Sequence, residues 1–198
     1  MSKLCFIDTE TTGTDPKKNA VIEIAGIIVI DGVERGSFGY HPAPFDSDEI
    51  EDSALAVNGI KREQLALLSN PRDMHDALVE TFTEHVDKFN KLDKFFFVGY
   101  NARFDADFIR SFFEKCGDQY LGSWFWFPPI DVMNLALVKL MDKRATMPNF
   151  KLATVANALG LEPEGRLHEA HADIRLTQQI FNNLTGGQHG NMETTINR

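Results

Sequence analysis

The chain has 198 residues, 43% of them hydrophobic and 25% charged, which is enough apolar matter for one compact domain and cramped for two. That balance excludes a disordered chain, and the lack of repeats or long low-complexity tracts excludes a solenoid. A net charge of −9 excludes a protein that coats nucleic acid by electrostatics alone, but it suits chemistry in which divalent cations offset protein carboxylates and phosphates together.

Met1-Ser-Lys3 leads directly into an apolar strand pattern too brief for a signal-peptide core or a membrane span, so a soluble cytoplasmic protein with no membrane partner is expected. Cys5 and Cys116 lie far apart inside apolar patterns and read as buried thiols of a reducing compartment. Lys3 to Asp8 reads as a strand, Val21 to Ile30 as a β-branched buried strand, and Asp31-Gly32 as the turn into a third strand, Val33 to Tyr40. These segments predict an antiparallel opening.

A polar loop follows over Pro42 to Glu51, then a short helix from Ser53 to Gly59 and a longer one from Met74 to Leu92. Next come a strand at Phe95 to Tyr100, a helix at Arg103 to Cys116, a short strand at Pro129 to Val132 and a helix at Val132 to Met141. Phe150 to Leu159 and Ala170 to Leu184 complete the helices, and Thr185 to Arg198 reads as a polar, flexible tail. A meander followed by β-α alternation predicts an α/β fold with a mixed central sheet and helices on both faces.

Three carboxylate positions break these patterns. In the first strand Leu4, Phe6, Asp8 and Glu10 share one side, so two like charges about 7 Å apart project together from the strand end. A solvated strand terminus accounts for such a pair taken alone. In the helix Arg103 to Cys116, Asp105 heads the stripe Phe108, Ile109, Phe112 and Cys116, where favourable contact with the helix dipole is the plain alternative. In the last helix Asp173 lies within the apolar side traced by Ala170, Ile174, Thr177, Ile180, Phe181 and Leu184. Burying an unpaired carboxylate is expensive, and one shared metal centre accounts for all three positions. His168 is five residues before Asp173, an offset of about 140° on a helix. On the preceding loop it can swing beside the metals as a base, whereas His171 and His189 read as surface.

The segments Phe6-Ile-Asp-Thr-Glu-Thr-Thr-Gly13, Tyr100-Asn-Ala-Arg-Phe-Asp-Ala-Asp-Phe-Ile109 and His168-Glu-Ala-His-Ala-Asp173 resemble the three motifs of the DEDDh, or DnaQ-like, exonuclease family. The resemblance covers roughly residues 3 to 184 and implies a ribonuclease H-like fold in a single domain, 1–184. It implies Asp8, Glu10, Asp105 and Asp173 as the metal-binding tetrad and His168 as the general base. No Tyr lies between Gly160 and Asp173, which favours the histidine subtype. Thr11 and Thr12 match positions near the terminal sugar, with Asn58 and Asn101 as further substrate-binding candidates. Tyr100 departs from the family's usual His at the start of the second motif. Tyr40-His-Pro-Ala-Pro-Phe45 and Ala54-Leu-Ala-Val-Asn-Gly-Ile60 add a local similarity to ribonuclease T.

The implied reaction is two-metal hydrolysis by Mg²⁺ or Mn²⁺ ions about 4 Å apart, releasing nucleoside 5′-monophosphates from a free 3′ end. Single-stranded DNA is the favoured substrate, RNA trimming of the ribonuclease T type is an alternative, and nucleic acid with a free 3′ end is the expected partner, with a polymerase as a second candidate. The contrasting expectation is a catalytically idle module that binds a polymerase or nucleic acid. Trp124-Phe-Trp-Phe127 reads as core before base-stacking surface, and Lys88, Lys91 and Lys94 as a solvated face before a phosphate contact.

Overall fold

The structure is a computed structural model and describes residues 2–162 and 170–186. Its five-stranded sheet comprises β1 (Lys3–Thr11), β2 (Val21–Ile30), β3 (Val33–Tyr40), β4 (Phe95–Gly99) and β5 (Phe125–Asp131), in the order β3-β2-β1-β4-β5. β1, β2 and β3 form an antiparallel meander, with Asp31 and Gly32 both at positive φ in the connecting turn. β4 and β5 add on in parallel with β1, so the C-terminal ends of all three open on one edge. Gly99 permits the tight exit from β4, because a Cβ there would lie 3.1 Å from the Ile7 carbonyl oxygen and 3.2 Å from Ala102.

Six α-helices are described: α1 (Asp52–Asn58), α2 (Pro71–Thr83), α3 (Ala102–Cys116), α4 (Val132–Lys139), α5 (Leu152–Ala158) and α6 (Ala170–Thr185). Strand alternation sends Cys5 and Ile7 into one core with Leu78 and Phe82 of α2 and Phe108, Phe112 and Phe113 of α3. Leu4 and Phe6 enter the core on the other face, with Val132 and Ala136 of α4 and Ile174, Ile180 and Phe181 of α6. The mixed sheet with helices on both faces therefore matches the pattern in the sequence. None of the described helices is long and apolar enough to cross a membrane.

Several boundaries differ from the sequence reading. The helix expected over Met74 to Leu92 starts at Pro71, capped by Asn70 Oδ1 accepting from Arg72 N–H at 2.9 Å, and ends at Thr83. Beyond it, Asp87, Asn90 and Asp93 take the backbone N–H groups of Phe89, Leu92 and Asp87, each at 3.0 Å. Short polar side chains thus offer the backbone a turn network that competes with helix continuation, although apolar residues still recur at helical spacing. The last strand begins at Phe125 instead of Pro129, since an edge strand tolerates the missing N–H groups of Pro128 and Pro129. Trp124, just before this strand, and Phe125 are buried while Phe127 is exposed, so the aromatic run divides between core and surface. Cys5 is buried, whereas Cys116 is only half-buried at the end of α3.

Candidate active site

Asp8 and Glu10 project from the end of β1 on the α6 side, and Asp173 in the first turn of α6 meets them there. One carboxylate oxygen from each of these side chains lies within 4.8 Å of the others. Burial drives the Asp8 carboxyl well above the usual carboxylate range, and Asp105, Asp173, Glu10 and Glu23 add repulsion in that order. Burial likewise pushes Glu10 up to about 8, with Glu23, Asp173 and Asp105 contributing. Three half-buried acids converge here, so the ionised set calls for positive charge, and hard oxygen donors at this spacing fit a divalent cation.

Asp105 is placed differently from its three companions. It is buried on the α3 face of the sheet, where its Oδ1 accepts from Thr9 N–H at 3.0 Å and from Thr9 Oγ1 at 2.8 Å. Burial raises its carboxyl to about 7 while the two Thr9 bonds pull the other way and Asp131 adds repulsion. Asp105 thus holds the strand segment between Asp8 and Glu10 from behind, and its charge still reaches both.

The turn after β1 is similarly built. Thr11 Oγ1 donates to the Gly13 carbonyl at 2.7 Å, and Asn58 Nδ2, at the end of α1, donates to the Thr11 carbonyl at 2.9 Å. Thr12 is fully buried: its hydroxyl donates to the Glu49 carbonyl at 2.8 Å and accepts from Ala20 N–H at 2.9 Å, while its own N–H donates to the Ala20 carbonyl at 2.9 Å. Asn101 is exposed, with φ of +61°, and its N–H donates to Asp131 Oδ1 at 3.0 Å. Tyr100 Oη donates to the Phe150 carbonyl at 2.5 Å, anchoring the position where the family usually has histidine. His171 is exposed on α6. His168 and His189 lie outside the described residues, as does the tail beyond 186.

Two neighbours of the acidic cluster were not singled out from the sequence. Thr9 carries no signal of its own, but alternation along β1 puts it on the face opposite Asp8, where α3 packs. Glu23 pairs with Glu10 across β1 and β2, and its carboxylate lies 3.7 Å from His41 Nε2. An acid inside the otherwise apolar run Val21–Ile30 was the available clue.

A sheet in this order, with acids supplied by β1, α3 and α6 at one edge, is a ribonuclease H-like architecture. A family model described as "Exonuclease" (RNase_T) matches residues 5–181, and the chain belongs to that family. The PolC-type DNA polymerase III of Thermotoga petrophila is 33% identical over 175 residues, covering 88% of this chain and 11% of that protein. The 3′-5′ exonuclease DinG of Bacillus subtilis is 28% identical, with 90% and 17% covered. Ribonuclease T of Vibrio campbellii is 26% identical, with 87% and 79% covered. The chain thus spans only a small part of the first two relatives and most of the third. Among solved structures, E. coli exonuclease I in complex with a dT13 oligonucleotide superposes with a TM-score of 0.73 at 21% identity, covering 92% of this chain and 41% of that one.

Proposed function

We propose that this chain is a metal-dependent 3′-5′ exonuclease that trims single-stranded nucleic acid to nucleoside 5′-monophosphates. The observation that carries the reading is the convergence of Asp8, Glu10 and Asp173 in a half-buried cluster backed by Asp105. Bound there, two Mg²⁺ or Mn²⁺ ions would supply charge to the scissile phosphate and acidify the attacking water. Asp8, Glu10 and Asp173 are the direct holders, and Asp105 acts through Thr9 and its charge. His168, assigned from the sequence motif, takes the water's proton as the oxygen–phosphorus bond forms and the bond to the 3′ oxygen breaks. The Thr11-Thr12 turn, stiffened by Asn58, shapes the wall for the terminal sugar, and exposed Asn101 offers its amide at the same edge.

DNA is the favoured substrate, supported by the PolC-type DNA polymerase relatives, which also support a polymerase context. RNA trimming is the second reading, because ribonuclease T is the relative this chain nearly spans. The test is a single strand labelled at its 5′ end and incubated with Mg²⁺ or Mn²⁺. Progressive shortening that a blocked 3′ terminus or EDTA stops is expected, and parallel DNA and RNA strands assign the sugar. Cuts within a circular single strand, or turnover unchanged after exhaustive chelation, would overturn the proposal. Tight binding without cleavage would favour the idle binding module.

A further inference from the structure

A cleft of about 330 Å³ separates α3 from the end of β5, the strand that runs parallel to β4 and β1 and ends on the same edge of the sheet. Arg103, Asp107 and Arg110 recur at helical spacing along one wall, and Phe127 lies on the other. The Arg110 guanidinium sits 4.7 Å from the centroid of the Phe127 ring. Stacking of this kind fixes the plane of the group while leaving its N–H edge to face solvent.

The cleft's charges are not equivalent. Arg103 Nε lies 3.5 Å from Asp107 Oδ2, and the Arg103 side chain is largely exposed. Asp131 accepts from Asn101 N–H and Met133 N–H, both at 3.0 Å, and from Asn134 Nδ2 at 3.3 Å. Arg110 has no carboxylate partner among the described residues. In a chain of net charge −9, this is an exposed cation without an ion pair among the described residues, on the helix that carries Asp105. Asp131 also joins the cleft to the site, since it holds the N–H of Asn101 at the start of α3, the helix that carries Asp105. β5 is two strand spacings from β1, roughly 10 Å.

We propose that this cleft carries the phosphodiester backbone of the substrate strand upstream of its scissile end. Arg110 binds a phosphate, Phe127 positions Arg110, and Arg103 provides a second contact. The inference rests on the exonuclease reading and adds to it a separate determinant of strand length. A mononucleotide ester occupies the carboxylate cluster without reaching the cleft, whereas a longer strand engages both.

The test compares a single strand of about ten nucleotides with the p-nitrophenyl ester of thymidine 5′-monophosphate. Arg110→Ala should raise KM for the strand about ten-fold at low salt and leave kcat unchanged, as expected for a lost phosphate contact. The slope of log affinity against log salt should shrink by roughly 0.7, the contribution of one phosphate contact on a single strand. Phe127→Ala should reproduce part of the KM effect, and Phe127→Tyr should keep KM at the parent value. Hydrolysis of the ester should be unchanged in all three variants. An unaltered KM for the strand in Arg110→Ala, or an equal loss on the ester, would overturn the proposal. If the parent hydrolyses neither the ester nor the strand as DNA or as RNA, the exonuclease reading fails, and anisotropy of a 5′-fluorescein strand in Ca²⁺ judges the cleft alone. Equal affinity of parent and Arg110→Ala in that measurement rejects it.

Discussion

Neutralising Glu10 should stabilise the metal-free protein while abolishing its chemistry. The Glu10 carboxyl is pushed from 4.5 up to about 8, chiefly by burial and then by Glu23, Asp173 and Asp105. A carboxyl raised on folding holds its proton more tightly in the native state. Its stabilising protonation is therefore complete below pH 4.5 and is lost as pH rises through about 8. That interval corresponds to roughly 4 to 5 kcal/mol. Because the same repulsion is shared with Asp8 and the side chains relax, about half of it is expected to be recovered by Glu10→Gln at pH 8. For a domain of this size, about 2 kcal/mol shifts Tm by roughly 4 to 8 °C. Calorimetric melts in EDTA at pH 5 and pH 8 read the effect. The variant should melt higher than the parent at pH 8 and near it at pH 5, and Mg²⁺ should raise the parent's Tm more than the variant's. A variant that melts at or below the parent at pH 8, or a difference that is independent of pH, would refute the account of a charge-strained cluster.

Asp8→Ala and Asp173→Ala should each nearly abolish hydrolysis in initial-rate assays, since the remaining acids cannot replace a lost ligand, while circular dichroism shows a folded chain. His168→Ala should lower turnover by roughly 100-fold, the scale of a positioned base, and His171→Ala should have little effect. The reverse ranking would remove His168 from the mechanism. Thr9→Val deletes the 2.8 Å bond from its hydroxyl to Asp105 and should cost about 1 to 3 kcal/mol in denaturant melts, with turnover falling as well. Thr9→Ser should retain both, and a Thr9→Val protein indistinguishable from the parent would show that Asp105 does not depend on this support.

The sequence by itself determined the features governed by local periodicity. Val21–Ile30 and Val33–Tyr40 carry their strand bounds in an apolar run and an Asp31-Gly32 turn. Asp8, Glu10 and Asp173 were legible because an acid in an apolar stripe needs a compensating partner wherever the stripe packs. Periodicity gives the face of an element but does not say which element covers it, because strand register and helix placement are set by contacts distant in the chain. Only the tertiary structure could put Thr9 against Asp105, 96 residues away, on the face opposite the other acids. It also turned Thr12 inward onto Glu49 and Ala20, and placed Glu23 beside Glu10 through the register of β1 on β2. The end of α2 at Thr83 was hidden for a related reason: the apolar spacing continues into a segment whose Asp and Asn side chains hold turns instead. The cleft of Arg110 and Phe127 likewise exists only because parallel pairing of β4 with β5 brings the end of β5 alongside α3.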